Sequence, residues 1–288
     1  MMTIITSVRV ASLAMRTRFE IVLWDRERSD ADLRAAGEEA LREIAETETL
    51  LSAYRSDAVL YQLNEQIRDT AGTFALPSRL AIFVPLALLL SELTGGAFDP
   101  TLGDADAVTI NPGEDFVVDW REQFIATSRP GVRFDAGAIG KGYALDRARD
   151  VLQEVGIGNA LLHGGTSSVV ALGKEPGGGD WRVAIASPNR LRDPVAVWHL
   201  RDGEAMGVSA NYERADHIVD PRTKHPVTQS RLTAALNRGS AAAADAVSTA
   251  LLVVGEEGLP TLRESFPEVR EWLVVEEESP GGNTKIAT

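Results

Sequence analysis

Cysteine is absent from this 288-residue chain, which excludes disulfide frameworks, thiolate metal sites and a lipid-modified cysteine. Positive charge is also scarce. Against 42 Asp and Glu stand 29 Lys and Arg, a formal charge of −13, and this balance argues against a nucleic-acid backbone as the main partner. A cation such as Lys141 is conspicuous in that setting. Long apolar runs are missing: the longest, Leu80 to Leu90, is interrupted by Pro85 and is too short to span a bilayer. The N-terminal stretch is broken by Thr, Ser, Arg9 and Arg16 and lacks the continuous apolar segment of a secretory signal. A cytoplasmic protein without stable membrane insertion is therefore the expectation. What is present, 44% apolar and 25% charged residues, is an ordinary globular mixture sufficient for one large domain or two small ones.

Periodicity gives mixed α and β elements. Phe19 to Trp24 reads as a strand, followed by a helix from about Asp30 to Tyr54 whose Leu33, Ala40, Leu41, Ile44 and Leu51 approximate one face. Ser78 is placed to cap a second helix running towards Leu93, with Gly95 and Gly96 as its stop. Short alternating runs between Val108 and Thr127 suggest hairpin strands. Further strands are expected at Ala160 to His163, Ser168 to Leu172, Trp181 to Ala186, Val195 to Leu200 and Leu232 to Leu236. Helices are expected from Gly142 to Val155, capped by Gly156, and from Ser240 to Val254, stopped by Gly255. The Pro-Gly-Gly at Pro280 to Gly282 is expected to end the ordered chain, leaving residues 279–288 as a loose tail.

Chemistry concentrates between Phe134 and Gly173, FDAGAIGKGYALDRARDVLQEVGIGNALLHGGTSSVVALG. Asp135, Ala138 and Lys141 recur every three residues across a glycine-rich turn that opens a helix. Such a turn can aim backbone N–H groups, a helix N-terminus and a lysine charge at one phosphate; a surface loop with an ordinary glycine is the plainer alternative. A second signal is Asp245 with Thr249, four residues apart and so on one helical face. Taken alone, a surface acid beside a packing threonine is the simpler reading; a carboxylate and a hydroxyl as hard oxygen ligands for Mg²⁺ is the functional one. His217, in HIVDPRTKHPV, lies beside Asp216 and near Asp220 and Arg222. A lone loop histidine is more often structural than catalytic.

Read together and in this order, AFDPTLG from Ala97 to Gly103, the Phe134–Gly173 stretch, HIVDPRTKHPV from His217 to Val227 and AAADAVSTALLVVG from Ala242 to Gly255 resemble the ApbE-like family of FAD:protein FMN transferases. The resemblance runs from about Ala14 to Gly258. It implies an α+β fold, with residues 1–278 forming one domain around a largely antiparallel sheet with flanking helices. It also implies transfer of FMN from FAD to a threonine hydroxyl of an acceptor protein, with release of AMP. By the same resemblance, Asp245, Thr249 and the Ala138 carbonyl would hold Mg²⁺ or Mn²⁺. Lys141 and Asp135 would serve the cofactor, and His217, with Ile218 beside it, would lie at the cofactor phosphates, His217 acting as base. Tyr54 would pack on the flavin, Ala97, Phe98 and Asp99 would line the adenine end, and Met15 and Thr17 would contact FAD.

This chain departs from the family at several points. It carries Met15-Arg16-Thr17 where the family has Met-Gly-Thr, and Gly164-Gly165-Thr166 where the family has Gly-Gly-Asp. The connections from Asp99 to Asp135 and from Tyr212 to His217 are shorter than usual. Many relatives are exported lipoproteins, which this cysteine-free chain does not resemble. A metal-dependent FAD pyrophosphatase and a flavin-binding protein without turnover remain alternatives to the transferase.

Overall fold

The computed structural model describes residues 7–101, 116–119, 121–128, 130–187, 193–212, 218–277 and 284–287. The chain opens with β1 (Val8–Ala14) and β2 (Thr17–Leu23), then α1 (Asp30–Leu51), α2 (Val59–Ile67), β3 (Gly72–Ala75), a 3₁₀ turn at Ser78–Leu80 and α3 (Phe83–Leu93). After β4 (Phe116–Asp119) and β5 (Phe124–Thr127) come α4 (Gly140–Glu154), β6 (Ala160–Gly164), β7 (Ser168–Leu172), β8 (Trp181–Ile185) and β9 (Ala196–Leu200). The last elements are β10 (Glu204–Ala210), β11 (Arg231–Arg238), α5 (Ala241–Ser265), β12 (Val269–Glu277) and β13 (Thr284–Ala287).

Eight of the described strands form one sheet in the order β1-β2-β6-β7-β10-β11-β12-β13, every neighbour antiparallel. This is the α+β architecture that the motifs imply. Because successive side chains on a strand point to opposite faces, the central strands feed two cores at once. Ala160 and Leu162 of β6 and Val170 and Leu172 of β7 pack with α1 and α4, whereas Leu161, Val169 and Ala171 face the other way, towards Trp181, Val183, Trp198 and Leu200 of the β8–β9 hairpin. On the helical side a second core joins α2, α3, α5 and the β3-β5-β4 sheet to Ala235, Trp272 and Val274. The near-continuous burial of β6 and β7 is what a sheet covered on both faces requires.

Local signals explain most element ends. Ser29 caps α1 by accepting the Asp32 N–H, and Gly156, at φ 75°, ends α4 with Ile157 N–H returning to the Leu152 carbonyl at 2.8 Å. Pro85 falls in the first turn of α3, where its missing N–H costs no helical bond, so the helix begins at Phe83 and the residues from Ser78 form a separate 3₁₀ turn. Gly255 breaks α5 as expected, with φ 64° and ψ −162°, yet the chain resumes as helix to Ser265. Arg231 covers that break: its guanidinium donates to the carbonyls of Leu252 at 3.0 Å and Val253 at 3.3 Å and pairs with Glu276. Within the expected loose tail, Thr284–Ala287 pairs along β12. Among the described residues no helix is long and apolar enough to cross a membrane.

Candidate active site

The site is organised by small residues. The first half of α5, AAAADAVSTA, is pressed between α4 and the sheet at two glycines. A Cβ on Gly142 would lie 2.3 Å from the Ala241 carbonyl oxygen, and one on Gly207 of β10 would lie 2.4 Å from the Ala244 backbone. Only glycine permits both approaches. Asp146 of α4 then caps α5 from outside, accepting the N–H groups of Ala241 at 2.9 Å and Ala242 at 3.1 Å and the Ser240 hydroxyl. The two helices are thus locked together, with the Asp245 side chain directed at the head of α4.

Asp245 is buried at 5% exposure. Its carboxylate accepts the Gly142 N–H at 2.9 Å and the Ser168 hydroxyl at 2.9 Å to either oxygen. Burial pushes its pKa up to about 7, opposed by the Lys141 charge and by those two hydrogen bonds. One turn along, the Thr249 hydroxyl is 3.2 Å from Ser209 Oγ of β10, which is also 2.9 Å from Ser248 Oγ. Neither Ser168 nor Ser209 is singled out by the sequence. Among the described residues no three His, Asp or Glu converge on one point, so a cation at Asp245 would need neutral oxygens beside that one carboxylate. By type, the Asp245 carboxylate, the Thr249 hydroxyl and the Ala138 carbonyl in the turn before α4 are oxygen donors of the kind that could hold a hard cation.

Beside this cluster opens a cleft of about 230 Å³ lined by Met15, Arg16, Glu48, Tyr54, Asp135 and Lys141, among others. That is below the roughly 300–1,000 Å³ of a typical small-molecule pocket, so a larger ligand would extend over the open surface. Tyr54 is 74% exposed at the rim; its hydroxyl lies 3.3 Å from the Asp135 carboxylate, and the Arg133 guanidinium stacks 5.3 Å from its ring centre. Asp135 also accepts the Gly137 N–H at 2.6 Å. The glycine turn is therefore not a free row of amides: Gly137 gives its N–H to Asp135 and Gly142 gives its N–H to Asp245. Lys141 lines the cleft with no ion pair or hydrogen bond among the described residues.

The cleft's opposite lip is the two-residue β1–β2 turn. Met15 at φ 49° and Arg16 at φ 60° both adopt the left-handed region, the type I′ pattern normally filled by Asn-Gly. For non-glycine residues this costs on the order of 1 kcal/mol each. Glu48 of α1 holds the turn by accepting the Met15 N–H at 2.7 Å, and Met15 packs against the core beneath. Thr17 lies next to Gly165, whose Cβ would come within 2.6 Å of the threonine hydroxyl.

The AFDP segment adjoins the glycine turn, the Asp135 N–H donating to the Pro100 carbonyl at 2.7 Å, and lies against the Asp220–Arg222 turn, where a Cβ on Gly96 would be 3.8 Å from Arg222. Ala97 and Phe98 are each 1% exposed and belong to the core, while Asp99 closes a local turn by accepting the N–H and hydroxyl of Thr101. Ile218 packs against the same core. Asp220 is clasped by both arms of Arg222, at 2.9 and 2.8 Å, which holds its carboxyl below the usual range. Such a carboxylate is a poor proton acceptor. His217 lies outside the described residues.

A sequence model of the ApbE family matches residues 15–273. The FAD:protein FMN transferase of Treponema pallidum is 28% identical over 304 aligned positions, covering 90% of this chain and 82% of that protein. The Escherichia coli K12 protein of the same name is 24% identical over 240 positions, covering 72% and 68%. The Rhodobacter capsulatus protein of that name is 40% identical over 146 positions, 48% of this chain, and the match spans only 27% of the relative. Among solved structures, the ApbE protein of Thermotoga maritima superposes with a TM-score of 0.81 at 23% identity over 97% of this chain and 96% of its own. The flavinyl transferase ApbE of Pseudomonas stutzeri superposes with 0.80 at 21% identity over 98% and 94%.

Proposed function

Because this chain belongs to the ApbE family, we propose that it is an FAD:protein FMN transferase, moving FMN from FAD to a threonine hydroxyl of an acceptor protein and releasing AMP. The observation that carries this reading is Asp245: a buried carboxylate, its charge disfavoured by burial, bonded to the head of α4 next to Lys141 and beside an open cleft. Relatives named for this activity match the chain over most of its length.

The reaction is substitution at phosphorus. The acceptor oxygen forms a bond to the FMN phosphorus, the bond from that phosphorus to the AMP oxygen breaks, and the hydroxyl proton passes to a base. Lys141 attracts the pyrophosphate, and Asp135, fixed by the Gly137 N–H, sets the shape of the turn beneath it. Tyr54, exposed at the rim, offers a ring face to the flavin. Asp245, Thr249 and the Ala138 carbonyl would hold Mg²⁺, which when bound would neutralise charge on the pyrophosphate. His217 is assigned the proton on the strength of its segment, HIVDPRT; Asp220 orders that segment through Arg222 and is held too acidic to compete.

The deciding experiment incubates the protein with FAD and Mg²⁺, with and without a threonine-containing acceptor. Transfer predicts AMP release together with FMN covalently on the acceptor. AMP without bound FMN would make the protein a pyrophosphatase, and FAD binding with no AMP in either tube would leave it a flavin-binding protein.

A further inference from the structure

We propose that Arg16 is a specificity residue of this cleft, selecting phosphate-bearing flavins by meeting their anionic group from the β1–β2 turn. The inference deepens the transferase reading and rests on it. Arg16 and Lys141 line the same cleft, and among the described residues neither side chain has a hydrogen bond or close ion pair, while the Lys141 charge also acts on the buried Asp245. The carboxylates that share the cleft are engaged by other donors: Glu48 takes the Met15 N–H, and Asp135 takes the Gly137 N–H and lies within reach of the Tyr54 hydroxyl. A backbone N–H leaves a carboxylate's charge in place, so the cleft holds two cations and two carboxylates, none of them paired with one another among the described residues.

The turn amides offer little alternative. An anion arriving at the glycine turn finds the N–H groups of Gly137, Ile139, Gly140 and Gly142 already donated, to Asp135, to the Ala136 carbonyl and to Asp245, so a side-chain cation adds attraction that most of these amides do not give. Lys141 is a flexible point charge, whereas the guanidinium presents a planar fork suited to two phosphate oxygens. The backbone gives independent support. Position 16 has φ 60°, a conformation glycine adopts at no cost, yet it carries a long exposed cation. A residue kept in an unfavourable conformation at the lip of a cleft points to a demand from function, not stability.

The test uses the full-length protein and the variants R16G, R16N and R16K, titrated with FAD and with riboflavin by flavin fluorescence at low and high salt, alongside thermal melts. Glycine and asparagine both tolerate the left-handed turn, so R16G and R16N are expected to melt at or above the parental temperature. Their FAD affinity is expected to fall about tenfold or more, the loss of a charge-assisted contact, with riboflavin unchanged and the salt dependence of FAD binding reduced. R16K, which keeps the charge but not the fork, should fall between the parent and R16G in FAD affinity. Parental FAD affinity in R16G and R16N, or equal losses for FAD and riboflavin, would overturn the proposal, as would a loss accompanied by a lower melting temperature, which would make Arg16 a turn residue only. If the parent itself binds no FAD, the transferase reading falls and this inference falls with it; if the parent turns FAD over and R16G does so equally well, only the Arg16 assignment is lost.

Discussion

Asp245→Asn should make the protein more stable and catalytically dead. In the folded chain, burial raises this carboxyl from 3.8 to about 7. The sign follows directly. A raised folded-state pKa means that the unfolded chain gives up the proton more readily, so stability is full below the unfolded value and is lost as pH rises through about 7. The displacement corresponds to about 4 kcal/mol by pH 8, and roughly 2–3 kcal/mol of it is lost between pH 5 and pH 8. Asparagine keeps the shape and carries no charge. Its amide oxygen can still accept the Gly142 N–H, and its amide N–H can donate to Ser168, whose hydroxyl rotates to accept.

Melting the parent and the Asp245→Asn variant in metal-free buffer from pH 5 to pH 8.5 reads this group and its coupling to Lys141 and Asp146, because the titrations that do not interact with it cancel in the difference. The variant should gain on the parent as pH rises, with its advantage levelling off above pH 8. Adding Mg²⁺ at pH 8 should then raise the parent's melting temperature and leave the variant's unchanged, since a cation bound to the folded state stabilises it by mass action. A variant that is less stable than the parent at every pH would refute the account, because Asp245 would then be a structural acceptor and not a charge held for a cation.

Three further outcomes follow. Lys141→Ala should weaken FAD by about 1–3 kcal/mol and riboflavin far less, because riboflavin has no phosphate; equal weakening by flavin titration would place Lys141 at the ring or in the fold. His217→Asn should keep FAD affinity and lose most AMP release, whereas collapsed affinity with parental turnover of the bound fraction would remove the base assignment. Gly142→Ala drives a methyl to about 2.3 Å from the Ala241 carbonyl, so denaturant unfolding should show a loss of about 1–3 kcal/mol or more from overpacking, and AMP release should fall as α5 is pushed off α4.

The parts of this fold that the sequence makes legible are those with strong local signals. Helix α4, with Gly156 behind it, and the apolar strands β6 and β7 lie within a residue or two of their expected bounds. The hidden parts have weak or conflicting local chemistry. Strand β10, EAMGVSA, is poor in β-branched residues and carries a mid-strand glycine, and it forms because β7 and β11 pair on both sides of it. Helix α2 is nine residues long, too short for periodicity to declare it. The second half of α5 is concealed by Gly255, a true stop signal after which the chain nevertheless continues as helix, beneath an arginine 24 residues upstream.

The site itself divides along the same line. Asp245 and Thr249 are legible as a pair because four residues set one helical face, and Lys141 because it opens a helix after a glycine turn. No spacing rule connects these two signals across about a hundred residues; their family resemblance joins them before the structure does. The physical link is an absence of bulk. The alanines flanking Asp245 contribute little chemistry of their own, and Gly142 and Gly207 look like any other glycines, yet together they let α5 come within backbone contact of α4 and β10. Larger side chains at those positions would move the carboxylate away from the Gly142 N–H and the Ser168 hydroxyl that now hold it. A small-residue run around one acid in a helix is therefore a signal that the acid is held close to another backbone, and here that backbone is the head of the helix that carries Lys141.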